Sequence, residues 1–285
     1  MKAEAGMTLE ELLAQASERL KSAGVENAAR DARMLMEKCA GKSRSELFLR
    51  VSDEAGGMLA EKFRQAVEKR ACGEPLQYIL GEWGFMGGSY KVGPGVLIPR
   101  PETEQLAEAA VAEAPEGATV FDVCAGTGCI GISVAAARGD LNVFCVERYD
   151  DAFRYLAENI KAHGVHNVTA VKADMFAGAK DAGLPEPDMI LSNPPYIKSG
   201  ELAGLQREVL REPQSALDGG RDGLVFFRAL AEKWFLPLKS GGVLAAECGD
   251  GQAQAVRDIF LKVSSNITIS RDLNGIERIV TVRKG

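Results

Sequence analysis

Histidine and paired cysteines are the scarcest metal-binding resources of this 285-residue chain. It has two histidines, His163 and His166, and its six cysteines (Cys39, Cys72, Cys124, Cys129, Cys145 and Cys248) form no C-x-x-C pair. No metal site is therefore expected. Cys124, Cys129 and Cys145 lie in or beside apolar runs and read as buried, reduced thiols rather than disulfides or nucleophiles. No uninterrupted apolar stretch approaches the roughly 20 residues that span a bilayer. Met1-Lys2-Ala3-Glu4 leads into an amphipathic helix without the apolar core of a signal peptide. The expectation is a cytoplasmic protein with no membrane partner. An excess of positive charge is missing too. The net charge of −6 argues against holding nucleic acid through a broad basic surface, and no direct nucleic-acid binding is expected. What is present, 46% hydrophobic and 26% charged residues, suffices for one large globular domain and a small one.

The first 80 residues read as helices. Thr8 with Glu11 forms a capping box, Leu9, Leu12, Leu13, Ala16 and Leu20 mark one helical face, and Gly24 fits a stop. A second helix runs from about Asn27 to Gly41 with Ala32, Leu35, Met36 and Cys39 inward. A short one follows from Ser45 to Val51 after a Ser43/Glu46 cap, and Ser52 opens another carrying Leu59, Phe63, Ala66 and Val67. Together they predict a small helical bundle over 1–80 that grips a partner or is purely structural. Residues 81–100 change character: aromatics spaced around glycines predict a β-hairpin linker, and Pro99 and Pro101 fix an extended path before a helix from about Glu104 to Ala114. From 101 to 285 strands alternate with helices. Strands are expected at 118–123, 142–146, 168–172, 189–192, 242–247, 266–270 and 277–282, the last two as an antiparallel pair. The fold class is α/β, a mostly parallel sheet of seven strands whose ligands bind beyond the strands' carboxyl ends.

Two motifs carry chemistry. Asp122-Val123-Cys124-Ala125-Gly126-Thr127-Gly128-Cys129-Ile130-Gly131 follows a buried strand, and its glycines let the backbone approach a ligand and turn into a helix. Gly126, Gly128 and Gly131 satisfy G-x-G-x-x-G, with Glu147 21 residues after Gly126, where a carboxylate would take ribose hydroxyls. The spacing alone serves a nicotinamide cofactor or S-adenosylmethionine equally. Asp122 would repel a pyrophosphate but suits the cationic methionine end of S-adenosylmethionine. The second motif, Asn193-Pro194-Pro195-Tyr196, ends the fourth strand. Asn-Pro often marks a plain turn, but this position suits chemistry on a planar amide or amino nitrogen, a poor nucleophile that must be aimed. The side-chain oxygen of Asn193 and the backbone carbonyl of Pro194 would accept its two N–H groups, two prolines would stiffen the loop, and Tyr196 would stack on the planar group. Transfer of a methyl group would then rest on positioning and desolvation.

Weaker signals surround these. Asp174 would accept from an adenine amino group with Met175 or Phe176 packing on the ring, or else cap a helix beside a core aromatic. Glu247 ends the fifth strand near the same edge as the site, or is simply a solvated carboxylate. Arg100 and Glu102 lie in a proline-fixed loop, over the site or in a surface salt bridge. His163 and His166 flank Gly164 as a helix C-terminal region.

With these residues the chain resembles the release-factor glutamine methyltransferases (the HemK/PrmC family) almost end to end. The resemblance runs through Glu74–Gly81, Leu97–Glu104, the glycine motif, Ser192–Ile197 and Glu212–Leu217. Asn-Pro-Pro-Tyr alone is shared with adenine-N6 methyltransferases of DNA and RNA. The helical domain and Ile98–Glu104 are far more specific. The resemblance implies a Rossmann-like class I methyltransferase domain, S-adenosylmethionine as methyl donor (S-adenosylhomocysteine as product), and N5-methylation of the Gly-Gly-Gln glutamine of peptide chain release factors. The family's cofactor positions fall on Cys124, Ala125, Gly126, Thr127, Gly128, Glu147, Met175 and Asn193, and its substrate element on Asn193–Tyr196. The family usually has glycine at Cys124 and often an aromatic at Met175.

Overall fold

The computed structural model describes residues 7–285, so the expectation for Met1–Glu4 lies outside the described residues. Two compact units result: one reaches to Glu82 and includes Gln206–Arg211, the other comprises Trp83–Leu205 and Glu212–Gly285.

The first unit holds helices α1 (Leu9–Ser22), α2 (Ala28–Ala40), α3 (Arg44–Phe48), α4 (Gly57–Ala71) and α5 (Leu76–Leu80). Thr8/Glu11 and Ser43/Glu46 both form full capping boxes, each satisfying two otherwise orphaned backbone donors. Leu9, Leu12, Ala16 and Leu20 are the buried face of α1. Ser52 does not open a helix. Backbone bonds from Leu9, Glu10 and Ala55 to Asp53, Val51 and Met7 hold 51–55 as a turn that ends in a single bridge between Glu54 and Thr8, and α4 starts only after Gly56. The core of the unit contains one charged cluster. Arg70 donates from Nε to Asp31 (2.8 Å) and from Nη1 to Glu208 (2.8 Å), with Asp31 5% and Arg70 8% exposed. Such a charge is tolerated in a core only because it is paired on both sides.

The second unit opens with the hairpin β1 (Glu82–Phe85) and β2 (Gly88–Lys91). Helix α6 (Pro101–Glu113) begins three residues earlier than the periodicity suggested, because Pro101 at its first position needs no N–H partner there. Then follow β3 (Thr119–Val123), α7 (Cys129–Ala137), β4 (Asn142–Glu147), α8 (Asp150–His163), β5 (Val168–Lys172), β6 (Met189–Ser192), α9 (Val225–Ala229), β7 (Val243–Glu247), α10 (Ala253–Phe260), β8 (Ile267–Arg271) and β9 (Glu277–Arg283). Seven of these strands form one sheet in the order β5-β4-β3-β6-β7-β9-β8. Its first five strands are parallel, and β9 runs antiparallel to both neighbours.

Strand alternation sorts the core into two layers. Val120, Val143, Cys145, Leu191 and Ala245 face α6 and α7 with Leu106, Ala110 and Ile132. Phe121, Val123, Val146, Ile190 and Leu244 face the other layer, with Phe227, Leu230, Trp234, Val256 and Phe260. Each such fully buried side chain contributes about 1.5–3 kcal/mol. The central strands β6 and β7 are buried along their whole length, as strands covered on both faces must be. Chain order reverses between β3 and β6, and a crevice opens there beyond the strands' carboxyl ends.

Candidate active site

One cleft gathers the ends of β3, β4 and β6. Cys124, Ala125, Gly126, Thr127, Glu147, Asp174, Met175, Asn193, Pro195 and Arg100 line it. Asp122, Gly128, Pro194 and Tyr196 are not among the lining residues.

Glu147 is set in place by the backbone around it. Its Oε2 accepts from Gly126 N–H (2.9 Å) and its Oε1 from Arg148 (2.7 Å) and Tyr149 (2.8 Å). A carboxylate so held keeps lone pairs toward the cleft for vicinal hydroxyls. Asp122 departs from expectation. It is wholly buried, accepts Gly131 N–H through Oδ2 (2.9 Å), and leaves Oδ1 without a partner. Burial first, then the nearby Glu147 charge, against the Gly131 bond, pushes its pKa up to about 7. It ties the end of β3 to the first turn of α7 and does not face the cleft, so direct contact with a cationic ligand end is corrected. The alternation of β3 turns its side chain under the glycine loop. Gly131 allows that packing: a Cβ there would stand 2.4 Å from Cys145 Sγ.

Cys124 has a left-handed backbone, φ +66°, the region that favours glycine. The residue lines the cleft, while its thiol packs on the core layer of Phe121 and Val123 and is held well above its ordinary pKa, chiefly by burial. It is an inert wall rather than a nucleophile.

Apolar side chains build the far wall: Ile130, Val146, Ala152, Met175, Phe176 and Phe226. Phe176 and Phe226 meet with ring centroids 5.0 Å apart. Met175 is buried, and its carbonyl accepts the Trp234 indole N–H (2.7 Å), fixing this wall to the core. No helix follows Asp174, which closes a turn instead and pairs: Oδ1 accepts Phe176 N–H (2.9 Å), and Oδ2 meets Arg148 (2.9 Å). Phe176 is 39% exposed, so it is no core aromatic.

Asn193 follows β6 directly. Its Nδ2 donates to Thr103 Oγ1 (3.0 Å), and Thr103 donates to Glu247 Oε2 (2.6 Å). Glu247 is 2% exposed, not solvated, and burial lifts it to about 7 against the opposing Thr103 bond and Arg278 charge. Tyr196 is also placed otherwise than expected. Its hydroxyl points to Glu247 Oε1 (3.5 Å) and its ring packs on the core layer of Phe227 and Trp234. It supports the turn from behind rather than offering a face for stacking. Its carbonyl accepts from Gln252 Nε2 (2.8 Å), and Ile197 exchanges backbone bonds with Leu217 and Gly219. A Cβ on Gly219 would stand 2.7 Å from Tyr196 Cα, so the 217–219 segment clamps the proline turn only because that position is glycine.

Arg100 combines both earlier readings. It lines the cleft and pairs with the buried Glu212, which also accepts Ile98 N–H (2.9 Å). His163 lies outside the cleft, stacked on Tyr90 at 4.4 Å, with Gly164 as a left-handed helix cap. Among the described residues no cluster of His, Cys, Asp and Glu could hold a metal, and no helix is long and apolar enough to cross a membrane. Sequence reasoning missed Thr103, Tyr149 and Phe226 as site residues. Tyr149 had a signal in standing two residues past Glu147; Phe226, distant in sequence, had none.

Comparison with known proteins locates these features. Residues 11–81 match the PrmC N-terminal domain family and residues 103–236 the methyltransferase small domain family. The release factor glutamine methyltransferase of Geobacter sulfurreducens is 37% identical over 268 residues, covering 93% of each chain. That of Cereibacter sphaeroides is 37% identical over 280 residues, covering 97% of this chain and 99% of its own. Among solved structures, a methyltransferase from Pyrococcus furiosus superposes with a TM-score of 0.51 at 19% identity, covering 69% of this chain and 88% of the other, a likeness of fold alone.

Proposed function

The chain belongs to the release factor glutamine methyltransferase family, and from that premise we propose that it methylates the N5 amide nitrogen of the Gly-Gly-Gln glutamine of peptide chain release factors. The observation that carries the site assignment is the commitment of Asn193 Nδ2 to Thr103, which leaves Oδ1 as the acceptor offered to the cleft.

The residues fit S-adenosylmethionine. Glu147 would take its ribose hydroxyls, the apolar wall from Ile130 to Phe226 its adenine, and Cys124 to Thr127 its methionine end. Bound there, it would supply an electrophilic methyl group and leave as S-adenosylhomocysteine. The chain's own part is positional. An amide nitrogen delocalises its lone pair into its carbonyl, so orientation matters more than basicity. Asn193 Oδ1 accepts one N–H of the glutamine amide, and the proline pair beside it, of which Pro195 also lines the cleft, holds that acceptor stiffly. The nitrogen gains a methyl and loses one proton to solvent; no base is needed before transfer. Arg100, held by Glu212 on the cleft wall, would contact the protein substrate. The helical residues 1–80 are assigned to gripping the release factor, and 101–285 to cofactor and chemistry, with 81–100 as linker. Leu97 and Pro99 extend the linker's part to one cleft wall.

Mass spectrometry of a release factor after incubation with the protein and S-adenosylmethionine tests this. The glutamine of Gly-Gly-Gln should gain one methyl group; an unchanged glutamine defeats the proposal. Asn193→Ala should lower kcat at least about a hundredfold, the scale of losing one aligned polar contact in a transition state, while S-adenosylmethionine still binds.

A further inference from the structure

An asparagine amide is nearly symmetric in shape, yet only one end can receive an N–H. Which end faces the cleft must be decided by whatever lies behind Asn193. In this structure that is a hydrogen-bonded relay of buried groups: Asn193 Nδ2 to Thr103 Oγ1 at 3.0 Å, and Thr103 Oγ1 to Glu247 Oε2 at 2.6 Å. Thr103 and Glu247 are each 2% exposed, so water does not compete for these bonds. The relay also has a structural basis. Ser192 pairs with Ala246 across β6 and β7, which brings Asn193 and Glu247 side by side at the strand ends, and Thr103 in the first turn of α6 closes over both.

The logic is one of donor counting. An ionised carboxylate can only accept. Thr103 has one hydroxyl hydrogen, and Glu247 takes it. The hydroxyl can then only accept from Asn193, which must present its NH2 inward and its oxygen outward. Resting on the function proposed above, we propose that Thr103 and Glu247 are positioning residues that set the polarity of the Asn193 amide, so that its oxygen meets the glutamine N–H.

The relay makes a prediction that simple support does not. In Glu247→Met the Thr103 hydroxyl loses its acceptor and turns to Asn193 Oδ1, so the amide shows its NH2 to the substrate. In Thr103→Val neither polarity is imposed. The double variant should therefore be more active than Glu247→Met alone, a reversal that additive damage cannot give.

The experiment measures kcat, KM for an intact release factor, and S-adenosylmethionine affinity at about pH 8.5, above the raised value of Glu247. We expect kcat to fall by roughly a hundredfold in Glu247→Met and about tenfold in Thr103→Val, with the double variant back near Thr103→Val and cofactor affinity within about threefold of wild type throughout. Thr103→Ser keeps the hydroxyl and should recover most of what Thr103→Val loses. A double variant as poor as Glu247→Met or worse overturns the proposal, as does a Thr103→Val enzyme with wild-type kcat. So does a parallel loss of cofactor affinity and kcat in Thr103→Ser and Thr103→Val alike, which would mark a packing role. A wild-type protein that leaves release factor unmethylated refutes instead the function on which the relay rests.

Discussion

Cys124 shows how one residue sets the quality of a ligand site. Its φ of +66° costs an L-residue about 1 kcal/mol relative to glycine, and the residue lines the cleft. Cys124→Gly should raise S-adenosylmethionine affinity by about fivefold, roughly 1 kcal/mol, read by calorimetric titration. Asp122 argues through pH. In the folded chain it holds its proton up to about 7, against 3.8 for the ordinary group. The folded state thus binds an extra proton between these values, and this raised acid contributes most below 3.8 and loses its contribution as pH rises toward 7. Asp122→Asn abolishes the titration. Its unfolding free energy should change less between about pH 4.5 and 7.5 than that of wild type; equal slopes in denaturant titrations would mean that Asp122 is not the buried acid. The positions of Glu147 and Asn193 in the cleft were legible, because a carboxylate or amide at a parallel strand end has few other places to point. Asp122, Glu247 and Tyr196 were not, because strand alternation and cross-element bonds decide which side of the loop they occupy.

At the scale of elements, helix α7 is pressed against the sheet at Gly131. A methyl there would stand 2.4 Å from Cys145 Sγ and 3.2 Å from Asp122 Cβ. Gly131→Ala should destabilise the second unit by about 1–3 kcal/mol, the usual cost of overpacking, seen as a lower denaturation midpoint. Periodicity placed most elements correctly, since amphipathic helices such as α1 and fully buried strands such as β7 leave little choice of which faces to cover. It failed at Ser52, a good helix-capping residue, because the turn at 51–55 is tied by backbone bonds to the start of α1. Local propensity is a weak preference that such pairing outweighs.

At the scale of the molecule, the helical unit exposes large apolar side chains, Phe48 at 77% and Leu49 at 84%. Adjacent exposed apolar residues suit a protein partner. Replacing both with serine should raise KM for the intact release factor about tenfold, equivalent to about 1.4 kcal/mol. Steady-state kinetics should find kcat and S-adenosylmethionine affinity unchanged; an unchanged KM would remove these residues from the grip.

The order of chemical groups along the chain was determined by the amino-acid sequence alone: a helical segment, a glycine turn after a buried strand, a carboxylate 21 residues on, and a proline-stiffened asparagine after another strand. Each rests on local physics, on periodicity, backbone freedom or a missing N–H, that operates before any long-range contact forms. Only the tertiary structure decided which carboxylates face the ligand and which lie behind it, and which end of the Asn193 amide looks outward. Those choices depend on α6, β6 and β7 meeting at one point, where Thr103, Asn193 and Glu247, far apart in sequence, come within hydrogen-bond reach.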